Sequence, residues 1–221
     1  MDQITVKLEH PERVNLVFFT DVHLAARAPG RRRSTYGDEI LGKLAWASEL
    51  TTTLRGAGVC GGDVFHVKSP DSKSNATGYV NRVMGVLQSF PQGRVFGVVG
   101  NHDITGDNMN TLADQPIGTL MQAGAYHDLG YQSVVFESGD GVRVRVDAFD
   151  YLPGDELLAK LQEVGEDNRL EDANVDAMDV HWDERPSHYR VAVLHAFNQP
   201  GKSGLMFGMD YALGHEDLED L

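Results

Sequence analysis

Cysteine is almost absent from this chain of 221 residues: the single Cys60 excludes an internal disulfide framework and fits a reducing compartment, by default the cytoplasm. No apolar run approaches the roughly 18 residues that a membrane span requires. The N-terminus also lacks a basic segment leading into an apolar stretch, so neither anchor nor signal peptide is expected. Basic residues are scarce, with 19 Lys and Arg against 33 Asp and Glu and a formal net charge of −14. That balance argues against a generic basic coat for nucleic acid, because such binding relies on Lys and Arg to neutralise phosphates, yet it leaves room for a nucleic-acid enzyme with a local site. With 41% hydrophobic and 24% charged residues, the composition is that of a globular chain and excludes a disordered or fibrous one. A chain of this length buries roughly 70% of the surface its unfolded form exposes, so it needs no structural metal, and a metal found here would point to chemistry. No repeat or linker divides it; one domain over 1–221 is expected.

Short apolar runs alternate with segments of helical period, the pattern of a layered α/β protein. Val14–Thr20 predicts a buried strand that ends in Asp21-Val22-His23. Ile40, Leu41, Leu44, Ala47 and Leu54 predict a helix over Asp38–Leu54 with Asp38 as its cap and Trp46 as a packing residue. Gly58–Cys60 reads as a short strand, Asn75–Phe90 as an amphipathic helix, and Val95–Val99 as a strand. Val134–Glu137 and Val142–Phe149 flank Asp140-Gly141, a turn that favours a β-hairpin and so a second, antiparallel sheet. Asp155–Val164 predicts a helix, 165–184 a solvated acidic insertion or mobile loop, and Tyr189–Leu194 a final strand.

Each of the first three strands runs into a tight polar cluster: Asp21 and His23, then Gly61-Gly62-Asp63, then Gly100-Asn101-His102-Asp103. Such clusters belong at the carboxyl edge of a sheet, where open α/β sheets place their ligands. His195 follows a late strand, and Gly214-His215 follows Tyr211–Leu213. The succession D-x-H, G-D, G-N-H-D, H, G-H resembles the calcineurin-like metallophosphoesterase superfamily over Val14 to Asp217. TDVHL (20–24), GGDVFH (61–66), VVGNHDI (98–104), QPIGTLMQAG (115–124) and DYALGH (210–215) bring it nearest to nuclease subunits of the Mre11/SbcD type and their phage-encoded relatives.

The resemblance implies a four-layer α/β/β/α sandwich with two mixed sheets and a hydrolase acting on phosphodiesters, DNA foremost. A phosphodiester repels hydroxide, and two divalent cations placed close together neutralise it and supply hydroxide at neutral pH. Asp21 and His23 are then expected on the first metal, Asp63 between both, and Asn101, His195 and His215 on the second. His102 is the expected acid for the leaving oxygen, with Asp103 orienting its ring. Mn²⁺ suits this mixed nitrogen and oxygen set and the nuclease resemblance; Fe, Zn²⁺ and Mg²⁺ are alternatives. Where the family reads G-H-x-H, this chain has Gly214-His215-Glu216-Asp217: either Asp217 replaces the second imidazole or the motif is broken. The sequence stops at Leu221, short of the family's C-terminal DNA-binding cap, so a minimal catalytic domain or a truncated copy is expected.

The resemblance further implies a homodimer and an ATPase partner of the Rad50/SbcC type. Arg27, Arg31, Arg32 and Arg33 form the one concentrated basic patch, and with His66 they are candidates for contact with substrate phosphate. A small-molecule phosphodiesterase or phosphomonoesterase on the same fold, and a catalytically silent binding subunit, remain alternatives.

Overall fold

The computed structural model describes residues 3–32, 35–69, 71–106, 108–152, 159, 189–195, 205–207 and 211–213. Four strands, β2 (Leu16–Phe19), β3 (Ala57–Cys60), β4 (Val95–Gly97) and β5 (Tyr126–Asp128), pair in that order, and every pairing is parallel. A second sheet orders β1 (Gln3–Lys7), β6 (Ser133–Glu137), β7 (Arg143–Phe149) and β8 (Tyr189–Leu194). It is mixed: β6 and β7 are antiparallel, while β1 runs parallel to β6 and β7 to β8. A short antiparallel pair, β9 (Leu205–Phe207) with β10 (Tyr211–Leu213), stands separately.

The expectation of two mixed sheets therefore holds for one. The other is parallel because its strands are joined by helices: α1 (Tyr36–Thr53) links β2 to β3, α2 (Thr77–Gln88) links β3 to β4, and α3 (Pro116–Gln122) links β4 to β5. A helical crossover returns the chain to the same end of the sheet, which a hairpin cannot do. The hairpin read from Asp140-Gly141 is present, with Gly141 at φ 84° and Ser138 N–H donating to the Val142 carbonyl at 2.9 Å.

Helices α1 and α2 cover one face of the parallel sheet, where Leu41, Leu44, Val83 and Leu87 pack against Cys60 and Val95. On its other face, Ala57, Val59, Phe96 and Val98 meet Val134, Phe136, Val146 and Ala148 of the mixed sheet, so the two sheets lie face to face over an apolar core. Cys60 is fully buried in the first cluster, where it acts as a small apolar residue.

Two local readings are corrected. Asp38 is not the cap of α1: Thr35 precedes the helix, and Asp38, already in its first turn, accepts a 2.8 Å bond from Arg82 of α2. Trp46 is not packed but 63% exposed, because the buried stripe of α1 runs through Leu41, Leu44, Ala47 and Thr51 and leaves position 46 on the opposite side. The helix expected over Asp155–Val164 and the acidic 165–184 segment lie outside the described residues, and no helix among the described residues is long and apolar enough to cross a membrane.

Candidate metal centre

The turns that follow β2, β3 and β4 meet at the carboxyl edge of the parallel sheet, and His195, just beyond β8, joins them from the mixed sheet. They are sewn together by backbone bonds. Asp21 N–H donates to the Gly62 carbonyl at 3.2 Å, His23 N–H to the Asp63 carbonyl at 3.0 Å, and Leu24 N–H to the Val64 carbonyl at 2.8 Å. From α1, the Tyr36 hydroxyl donates to the carbonyl of His23 at 2.9 Å.

Asp63 sits at the centre, 3% exposed. One carboxylate oxygen, Oδ2, lies 3.7 Å from His23 Nε2; the other, Oδ1, lies 3.4 Å from His195 Nε2 and accepts the His102 N–H at 2.8 Å. Asp21 Oδ1 is 3.8 Å from the same His23 nitrogen, and Asn101 Oδ1 is 3.1 Å from the same His195 nitrogen. Asp63 thus turns one oxygen to each of two donor groups. Asp21 and His23 do not come together by the alternation of an extended strand, as a spacing of two suggests. Asp21 (φ 51°), His23 (φ 49°) and Asp63 (φ 53°) all occupy the left-handed region, a conformation that non-glycine residues hold at a cost and that concentrates at functional sites.

Packing leaves no room for a side chain at two glycines. A Cβ on Gly62 would lie 2.8 Å from His195 Nδ1, and one on Gly100 would lie 2.2 Å from Asp63 Oδ1. The doublet Gly61-Gly62 and the glycine of G-N-H-D carried the signal for this close approach, although their role here is steric.

The donor chemistry fits a cation. His195 Nδ1 lies 2.8 Å from the Gly61 carbonyl, which can only accept, so that nitrogen carries the proton. In the neutral ring Nε2 then presents a lone pair toward oxygens of Asn101 and Asp63, an arrangement that a positive charge between them satisfies. The groups Asp21, Asp63, His195 and His23, His66, His102 each bring their donor atoms within 4.8 Å of one another. Burial is the main cause lowering the His23 pKa, assisted by His102 and His195 and opposed by Asp63 and Asp21. For His66 burial again leads, followed by His23, His102 and Arg32. Neutral imidazoles are the form that binds metal.

Asp103 does something other than orient the ring of His102. Its carboxylate accepts the N–H groups of Val64 (3.2 Å), Phe65 (3.1 Å) and Gly100 (3.1 Å), tying the Asp63 loop to the His102 turn. Burial raises its carboxyl to about 6 against the pull of those same bonds. The ring of His102 is held instead by the His66 carbonyl, 3.0 Å from Nδ1, a backbone partner that no side-chain motif announces.

Among the remaining candidates, Arg27, Arg31 and Arg32 are all exposed, and the guanidinium of Arg32 lies 4.9 Å from the Tyr36 ring centroid and acts on His66. His215, Asp217 and Arg33 lie outside the described residues. His127 is half-buried against Phe96. Compared with models of protein families, the chain matches none, and a search of curated proteins likewise returns no match.

Proposed function

We propose that the chain is a metal-dependent phosphoesterase of the calcineurin-like kind that hydrolyses phosphodiesters, with DNA as its substrate. The observation that carries this reading is Asp63, whose two oxygens face His23 on one side and His195 on the other, as a carboxylate shared between two cations must. Asp21, His23 and Asp63 would hold one ion, and Asp63, Asn101 and His195 the other, with Mn²⁺ favoured by the excess of oxygen donors. When bound, two such ions neutralise the phosphate and activate a water.

The protein's own groups supply the rest. Since the Nδ1 proton of His102 is engaged by the His66 carbonyl, the second proton of the charged ring sits on Nε2, where it can pass to the leaving oxygen. The left-handed turns at Asp21, His23 and Asp63 hold the ligands in place before substrate arrives. Arg32, near His66, supports a phosphate-contacting role for the basic loop. Support for the four-layer sandwich comes from the outer face of the mixed sheet, where Ser133, Val135, Arg145 and Asp147 are all buried and so require a covering layer.

The test is hydrolysis of a chromogenic phosphodiester and of DNA oligonucleotides, after chelation and after Mn²⁺ is added back. Activity should require the metal and fall at least about 100-fold in Asp63→Asn. Metal-independent hydrolysis refutes the dinuclear reading, and turnover of small esters with intact DNA refutes the nuclease branch.

A further inference from the structure

Three imidazoles gather beside Asp63. His23, His66 and His102 come from three successive loops. Their ring centroids are 4.8 Å apart for His23 and His102, 5.5 Å for His23 and His66, and 6.0 Å for His66 and His102. The hydrolase reading uses His23 as a ligand and His102 as an acid, and it does not account for His66 completing a three-nitrogen cluster.

The cluster is already assembled. His66 N–H donates to the Leu24 carbonyl at 3.0 Å, His23 N–H to the Asp63 carbonyl at 3.0 Å, and His102 N–H to Asp63 Oδ1 at 2.8 Å. Because the proton on His102 Nδ1 faces the His66 carbonyl at 3.0 Å, Nε2 is the nitrogen left to bind. Among the described residues the buried Nδ1 of His23 has no hydrogen-bond partner, so no such bond fixes the ring in one tautomer. One nitrogen from each ring lies within 4.8 Å of the others. Nitrogens bound to a tetrahedral zinc ion at 2.0–2.1 Å stand about 3.3 Å apart, so small rotations of these half-buried rings close the set.

The geometry points to a zinc site formed by His23, His66 and His102, with a fourth position open, separate from the carboxylate group of Asp21, Asp63 and His195. Three imidazoles without a carboxylate select a borderline-soft ion such as Zn²⁺ over Mn²⁺ or Mg²⁺, which seek oxygen. Zinc held there takes His23 from the first ion of the hydrolase and the Nε2 lone pair of His102 from proton transfer, so it inhibits Mn²⁺-supported turnover. The inhibition rests on the proposed function; the site does not.

Zinc alone, titrated into the full chain against a chromophoric chelator, tests the site. X-ray absorption at the zinc edge on the one-equivalent complex gives the ligand set without any variant. The spectrum should show three imidazoles. His66→Ala should weaken the first equivalent about 100-fold, and more than Asp21→Asn does. A carboxylate-dominated spectrum, or sensitivity to Asp21→Asn with none to His66→Ala, overturns the assignment. Should Mn²⁺ support no hydrolysis, the hydrolase reading fails while the zinc titration still decides the site. An active enzyme whose zinc affinity ignores His66 keeps the hydrolase and loses the zinc site.

Discussion

Replacing Asp150 by Asn should make stability less dependent on pH, and the size of the effect follows from where the residue sits. Asp150 follows β7, is buried, and accepts the Val99 N–H at 2.7 Å, directly before the Gly100-Asn101-His102-Asp103 turn. It faces Asp128 at the end of β5. Burial first, and then the neighbouring Asp128 charge, raise its carboxyl to about 8; burial raises Asp128 as well. Asp103 adds to the rise at Asp150, while His127 opposes the rise at Asp128, and the two acids share a proton.

The folded pKa of Asp150 lies above the unfolded value of about 3.9, so the folded state keeps a proton that the unfolded chain has released. The associated stability is complete below about pH 4 and is lost as pH rises toward 8, at about 1.4 kcal/mol per pH unit. Between pH 5 and pH 8 that amounts to about 4 kcal/mol. Asparagine mimics the protonated acid: its oxygen accepts from Val99 and its amide donates to Asp128. In urea unfolding of the metal-free protein, the stability of Asp150→Asn minus that of wild type should therefore rise by about 4 kcal/mol from pH 5 to pH 8. Titrations of groups away from the Asp128 and Asp150 pair cancel in the difference. A difference that stays flat within about 1 kcal/mol refutes the shared proton.

Asp103→Ala leaves the N–H groups of Val64, Phe65 and Gly100 without their acceptor, a loss of about 3–5 kcal/mol at neutral pH by chemical denaturation, with faster amide exchange at those three positions. Gly100→Ala drives a methyl group to 2.2 Å from Asp63 Oδ1, so calorimetry should find metal affinity reduced at least about 10-fold and stability lowered by about 1–3 kcal/mol. Gly85→Ala is the matched control: nothing among the described residues lies within 4 Å of the added carbon at this exposed position of α2, so stability should rise by about 0.5–1 kcal/mol with metal affinity unchanged.

The strands that feed the centre could be read because their apolar runs end abruptly in polar residues, and the observed β2, β3, β4 and β8 fall within or beside the predicted segments. The β1 and β5 strands escaped notice: five and three residues long, they carry too little periodicity to stand out from a loop and acquire their identity by pairing in parallel with β6 and β4. Site residues were legible as types at motif spacings. Their division of labour was not, since Asp103 and His66 act through backbone partners more than thirty-five residues away in sequence. The Asp128 and Asp150 pair was equally hidden, being formed by two strand ends from different sheets.

The left-handed residues explain why a fully folded scaffold is needed for so small a centre. Asp21, His23 and Asp63 each hold a conformation costing about 1–2 kcal/mol, and an isolated loop would relax out of it. Here relaxation would break the Asp21 bond to Gly62, the His23 bond to Asp63 and the His102 bond to the Asp63 carboxylate. It would also move Asp63 against Gly100, where no spare volume exists. The strain is therefore held by the sheet edge as a unit, and the ligand directions are fixed by backbone geometry more than by side-chain rotamers. A substitution that disturbs the backbone of this edge, as Gly100→Ala does, should consequently damage the centre as severely as removal of a ligand, although it deletes no donor atom.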